Sequence, residues 1–174
     1  MVCRSPSVQE EASQTIESDT SEPKMTVVDS VDFALTHILP TLPEHARLES
    51  LALHLTCSST RLGLNASLEK VADEVAETVL IPENGGCCAF AGDRGMLHPE
   101  LTASATKAEA ADVAAMGATA HASCNRTCEL GMTRATGEPY RHILELLEEV
   151  TRPGPVGDET LVTGTADRVA VPLG

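Results

Sequence analysis

Apolar residues along this chain fall in turn at helical and at strand spacing. In "SVDFALTHILPTL", Val31, Ala34, Leu35, Ile38 and Leu42 recur every three or four residues, which predicts a helix capped by Asp29 or Ser30 and ending near Pro40. "LESLALHLT" changes to period two: Leu51, Leu53 and Leu55 alternate with Ala52 and His54, as in a strand. "CSSTRLGL" reads as a loop, and "NASLEKVADEVAETV" then puts Leu68, Val71, Ala72, Val75 and Val79 on one helical face with Asn65 as the candidate cap. "TVLIP" predicts a second strand. Pro99 suits a first helical position, so "PELTASATKAEAADVAAM" predicts an Ala-rich helix stopped by Gly117. "ATAHAS" is a third strand and "CNRTCELGMTRATG" a loop with a helical turn. A last amphipathic helix from near Pro139 turns Tyr140, Ile143, Leu144, Leu147 and Val150 inward. Alternation of this kind predicts an α/β domain, a small and largely parallel sheet flanked by helices.

The two ends break the pattern. Residues 1–24 are rich in Ser, Glu, Thr and Gln with few apolar positions, and are expected to be a disordered tail that holds Cys3. Residues 25–152 form the cysteine-rich domain. Residues 153–174 open on "PGPVGDE" and carry two β-prone pieces, "TLVT" and "RVAV", which predict a flexible tail or a short hairpin.

Composition narrows the functional classes. The chain has 174 residues, enough for one domain, and its aromatic residues are Phe33, Phe90 and Tyr140, so Leu, Val, Ile and Ala must build the core. The formal charge of −14 argues against nucleic acid or an anionic membrane surface as partner. No apolar run approaches the roughly 20 residues of a membrane span, and the N-terminus lacks the apolar centre of a signal peptide. A cytoplasmic protein is the expectation. The six cysteines then point to metal binding, redox chemistry or burial rather than a disulfide framework.

The predicted topology gathers these cysteines. Cys57 ends the first strand, Cys87 and Cys88 follow the second, and Cys124 and Cys128 follow the third. In a parallel sheet the three loops emerge at one carboxyl edge, where ligands bind in such folds. The spacing, C-x29-C-C-x35-C-x3-C, is far more dispersed than a ferredoxin or zinc-ribbon run and does not identify a metal. Soft thiolates suit zinc or an iron–sulfur cluster, and a ligand from His54, His98 or His121 would favour zinc. Separate buried or reactive cysteines are the alternative at this point.

The segments "LALHLTCSSTRLG", "CCAFAGDRGMLHPELTASAT" and "SCNRTCELGMTRATGEPYRHILELLEE", in this order between about Val27 and Arg152, resemble the C-terminal cysteine-rich region of bacterial FAD-linked D-lactate dehydrogenases. This CCG-type iron–sulfur domain also occurs in heterodisulfide reductase and in the iron–sulfur subunit of glycolate oxidase. The resemblance implies that Cys57, Cys87, Cys88 and Cys128 hold an iron–sulfur cluster of the 4Fe-4S type. Cys124 is a further cofactor-binding candidate, although its C-x3-C spacing departs from the family's CxxC. Ala89 also departs, standing where the family's glycine follows the cysteine pair; a positive φ there would strain it.

By the same resemblance the function is electron transfer, with the chain a terminal part or separate subunit of an oxidoreductase acting on 2-hydroxy acids. FAD would reside on another domain or partner, beside a ferredoxin-like module, since this chain carries no motif for either. Any association with the inner membrane would be peripheral, through those partners. Backbone N–H groups of "AFAGDRG" would donate to cluster sulfur, with Arg94 and Arg126 balancing charge. A structural zinc domain and a cofactor-free truncated remnant are the competing expectations.

Overall fold

The computed structural model describes residues 25–153; the tail readings for residues 1–24 and 154–174 lie outside the described residues. The chain first forms α1 (Ser30–Phe33), which continues as a π turn over Ala34–Ile38 and a 3-10 turn over Leu39–Thr41. The Asp29 carboxylate accepts from the Val31 N–H at 2.8 Å, as the cap pattern predicts. Four strands follow, β1 (Leu48–Leu53), β2 (Ala76–Leu80), β3 (Ala120–Ser123) and β4 (Tyr140–His142). They pair in the order β2-β1-β3-β4, all parallel, with Ser50 opposite Thr78, Ala52 opposite His121 and Ala122 opposite Arg141. The fold is therefore the α/β class that the alternation predicts.

Between the strands lie α2 (Cys57–Leu62), α3 (Asn65–Val75), α4 (Arg94–Leu97), α5 (Pro99–Met116), α6 (Arg126–Thr136) and α7 (Ile143–Thr151). Period two in β1 sorts the sheet's faces. Leu51 and Leu53, with Ala122 of β3, enter an aliphatic core with Val31, Leu68, Val71, Val75, Ile143 and Leu147, contributed by α1, α3 and α7. Each such fully buried side chain contributes roughly 1.5–3 kcal/mol. The opposite face meets α5 and carries His54, with the packed trio Cys88, Phe90 and Cys128 nearby. There α5 buries Thr102, Thr106, Glu109 and Val113, a mostly polar stripe at helical spacing.

Several element boundaries differ from the sequence pattern. Val79 keeps helical spacing with Val75, yet α3 stops at Val75 and Val79 pairs with Leu51 in the sheet. The β-branched run Thr78-Val79 gains a ladder there that a longer helix would forgo. Asn65 is the first helical residue rather than the cap; its side-chain oxygen accepts instead from the Ser59 hydroxyl at 2.8 Å. "CSSTRL" is a helix because the Thr56 hydroxyl caps it, accepting from Ser59 N–H at 2.9 Å, and Gly63 closes it at φ 72°. "RTCELGMTRAT" is a full helix between an Asn125 cap and Gly137 at φ 78°. Tyr140 belongs to β4, not to the last helix, and its ring lies against His121 across the β3–β4 pair. No helix among the described residues is long and apolar enough to cross a membrane.

Candidate metal centre

The strand order reverses between β1 and β3, so the loops leaving their carboxyl ends diverge and open a crevice. Cys57 opens α2 just beyond β1, and Cys128 lies in the first turn of α6 just beyond β3. The loop after β2 brings in Cys87 and Cys88. The Cys88 and Cys128 sulfurs are buried and 3.0 Å apart. Cys57 and Cys87 are exposed, and the Cys57 pKa is raised, first by partial burial and then by the nearby Cys87 and Cys88. Four of the predicted ligands thus share one edge.

Cys124 does not join them. It packs against the aliphatic core on the other face, with its sulfur 3.8 Å from the Thr56 hydroxyl, and burial raises its pKa. The His142 imidazole contacts the Cys124 carbonyl at 3.2 Å and so ties that loop to the start of α7.

The loop that carries the doublet is shaped by backbone conformation. Ala89 and Ala91 both have positive φ, 54° and 44°, and Gly92 follows at 72°. The expectation of strain at Ala89 therefore holds. This winding turns the Ala89 N–H onto the Cys87 sulfur at 3.4 Å, and the Phe90 backbone helps lower the Cys88 pKa. Phe90 is fully buried, and only glycine fits at position 95, where a Cβ would stand 2.6 Å from the Phe90 ring. Gly131 likewise lets α6 approach, its open side facing Phe90, Thr102 and the Cys88 Cβ.

Arg126 departs from its expected role. Arg126 is held by Glu129 and Glu145 and balances carboxylates rather than thiolates. Arg134 supports the site instead: its guanidinium lies 5.5 Å from the Phe90 ring centroid and donates to the Gly95 carbonyl at 3.2 Å.

Beneath the buried thiols sits His54, with no solvent exposure. Its Nδ1 is 2.6 Å from Glu109 Oε1, and Glu109 Oε2 accepts weakly from Gly86 N–H at 3.4 Å. One buried carboxylate thus holds both the imidazole and the glycines before the doublet. His54 Nε2 makes no well-formed hydrogen bond, although it lies close enough to Cys88 for their charges to couple. The His54, Cys88 and Cys128 donor atoms all lie within 4.8 Å of one another. His98 and His121, the other histidines considered, are elsewhere: His98 pairs with Glu100 on the surface and His121 stacks on Tyr140.

Electrostatics follow from this crowding. Contact with Cys128 is the largest influence on Cys88; together with His54 and the Phe90 N–H it outweighs burial and brings the Cys88 thiol down to about 4. Cys128 moves up, chiefly through Cys88 and then through burial, so the shared proton stays with Cys128. Burial alone would lower His54, but Cys88 and Glu109 together outweigh it and push the imidazole up to about 9. A thiolate and an imidazolium thus face each other in the metal-free protein. A cation entering there would bind the Cys88 thiolate directly and displace the protons of His54 and Cys128.

The donors suit a soft or borderline cation. Tetrahedral Zn–S bonds of about 2.3 Å would place two sulfurs about 3.8 Å apart, so the Cys88–Cys128 contact of 3.0 Å must open modestly on loading. The open side is a cavity of about 630 Å³ lined by Leu55, Arg61 and Ile81 and reaching Cys57, Cys87 and Glu109. No family model, no curated protein and no solved structure matches this chain.

Proposed function

We propose that this chain is an iron–sulfur electron-transfer module, with Cys57, Cys87, Cys88 and Cys128 as the thiolates that hold the cluster. The observation that carries the reading is the meeting of four thiols from three crossover loops at one sheet edge, two of them buried in contact. Such a cluster supplies one-electron oxidation and reduction. The chain's own part is to hold and tune it. Cys88 is already thiolate at neutral pH, the Ala89 and Phe90 N–H groups stabilise sulfur charge, and Phe90 with Gly131 excludes water from the inner side. Cys57 and Cys87 face the cavity and leave the outer side open for electron exchange.

By its likeness to the CCG-type domain, the module serves a D-lactate dehydrogenase-type oxidoreductase acting on 2-hydroxy acids. FAD and the ferredoxin-like clusters would be supplied by partner domains or subunits. A second reading, a structural zinc centre, is favoured by the buried His54 beside Cys88 and Cys128.

Anaerobic reconstitution of the full chain with iron and sulfide, followed by metal analysis, absorption and EPR spectroscopy, tests the first reading. A brown protein with stoichiometric iron and sulfide, lost in Cys87→Ser and Cys88→Ser but kept in Cys124→Ser and Cys3→Ser, is the expected result. Colourless protein holding zinc and refusing iron would replace it with the second reading.

A further inference from the structure

We propose that His54 is itself a ligand of this centre, binding metal through Nε2 beside Cys88 and Cys128, with Glu109 as its positioning residue. The inference rests on the presence of a metal centre in the reading above, not on which metal fills it.

Several observations converge. His54 is wholly buried on the sheet face that α5 covers, and its Nε2 makes no well-formed hydrogen bond there, facing sulfur instead. Glu109, itself 2 % exposed, accepts from Nδ1 at 2.6 Å, which fixes ring orientation and tautomer and directs Nε2 away from the carboxylate. That arrangement, carboxylate to one imidazole nitrogen and metal on the other, is how metal-bound histidines are commonly oriented. The Nε2 side meets two buried sulfurs, the three donors lying within 4.8 Å of one another.

The face is also rigid. Glu109 comes from the interior of an 18-residue helix, and His54 follows β1 directly, with its N–H bonded to the Ala122 carbonyl at 2.9 Å. Two sulfurs and one nitrogen would supply three ligands of a four-coordinate cation and leave a fourth position for a further ligand. Soft and borderline divalent cations of the zinc class suit that set. The exposed Cys57 and Cys87 stand on the outer side.

Zinc titrated anaerobically into the metal-free full chain, with X-ray absorption at the zinc edge, reads the ligand set directly. The wild type is expected to give sulfur at about 2.3 Å together with nitrogen at about 2.0–2.1 Å and the outer-shell scattering of an imidazole ring. In His54→Gln the imidazole signature disappears. Glu109→Leu, which removes the acceptor, should weaken zinc binding about 10–100-fold, and Glu109→Gln, which keeps an oxygen for Nδ1–H, should recover part of that loss with the imidazole signature intact. A sulfur-only shell in the wild type, no zinc uptake, or an imidazole signature that survives His54→Gln overturns the assignment. Should His54→Gln not fold, the wild-type spectrum and the Glu109 pair still decide. Refusal of iron by the wild type would sink the cluster reading and leave this zinc measurement standing; an all-sulfur zinc shell beside normal iron uptake would do the reverse.

Discussion

Ala89 and Ala91 occupy the left-handed region at φ 54° and 44°, in the loop that aims Cys87 and Cys88. An L-residue with a Cβ loses about 1–2 kcal/mol there. Replacing both by glycine removes that strain. Against it stand about 0.4–1 kcal/mol per site of added unfolded-chain entropy and, at half-buried Ala89, the loss of part of a methyl contact. The balance for Ala89→Gly/Ala91→Gly is a gain of about 1 kcal/mol. With a urea slope near 2 kcal/mol per molar, the unfolding midpoint of the metal-free protein should rise by about 0.5 M. Gly92→Ala is the matched control: it sits at φ 72° with open space around its missing Cβ, so strain less the reduced unfolded-chain entropy should lower the midpoint by about a few tenths molar. Circular dichroism during urea titration reads all three proteins. A double variant that unfolds earlier than the wild type, or a Gly92→Ala that unfolds later, would refute the account of this loop as backbone strain held in place by its surroundings.

Other outcomes follow from the same geometry. Gly95→Ala puts a methyl 2.6 Å from the Phe90 ring and 2.9 Å from its Cα, and should destabilise by at least about 1–3 kcal/mol in the same titration, with loss of metal loading as Phe90 shifts. For the metal-free protein, pH dependence has a definite shape. Cys88, lowered to about 4, makes the folded state release a proton that the unfolded chain keeps, so stability rises from pH 4 to about 6.5 at roughly 1.4 kcal/mol per pH unit. His54, raised to about 9, adds stability that is complete below 6.5 and fades up to 9; this offsets the Cys88 slope and gives a plateau between those values. Above 9 the raised Cys128 keeps a proton that the unfolded chain loses, and stability falls. Thermal melts across pH 4–10 that show no plateau would contradict the pairing of imidazolium and thiolate. Alkylation of native metal-free protein should label Cys57 and Cys87 well before the buried Cys88 and Cys128, as peptide mapping by mass spectrometry would show.

The one-dimensional pattern carried the elements that obey a single period. Leu51 and Leu53 against Ala52 and His54, the α3 face, and the Pro99 to Gly117 helix are readable because each residue's side is set by local geometry. From that alternation follow the parallel sheet and the gathering of Cys57, Cys87, Cys88 and Cys128 at its carboxyl edge. Tertiary contact decided the rest. Whether Val79 extends a helix or pairs with Leu51, and whether Tyr140 starts a helix or joins β3, depends on a neighbouring strand that no local window contains. Cys124 and Cys128 look alike in sequence, yet only Cys128 lies on the helix face turned toward Cys88, because the Asn125 cap makes that segment helical. The Glu109–His54 pair spans 55 residues and hides in an Ala-rich helix that reads as plain scaffold. Its one available signal was a charged residue in register with Thr102, Thr106 and Val113; burial of that stripe became visible only once α5 lay across the sheet.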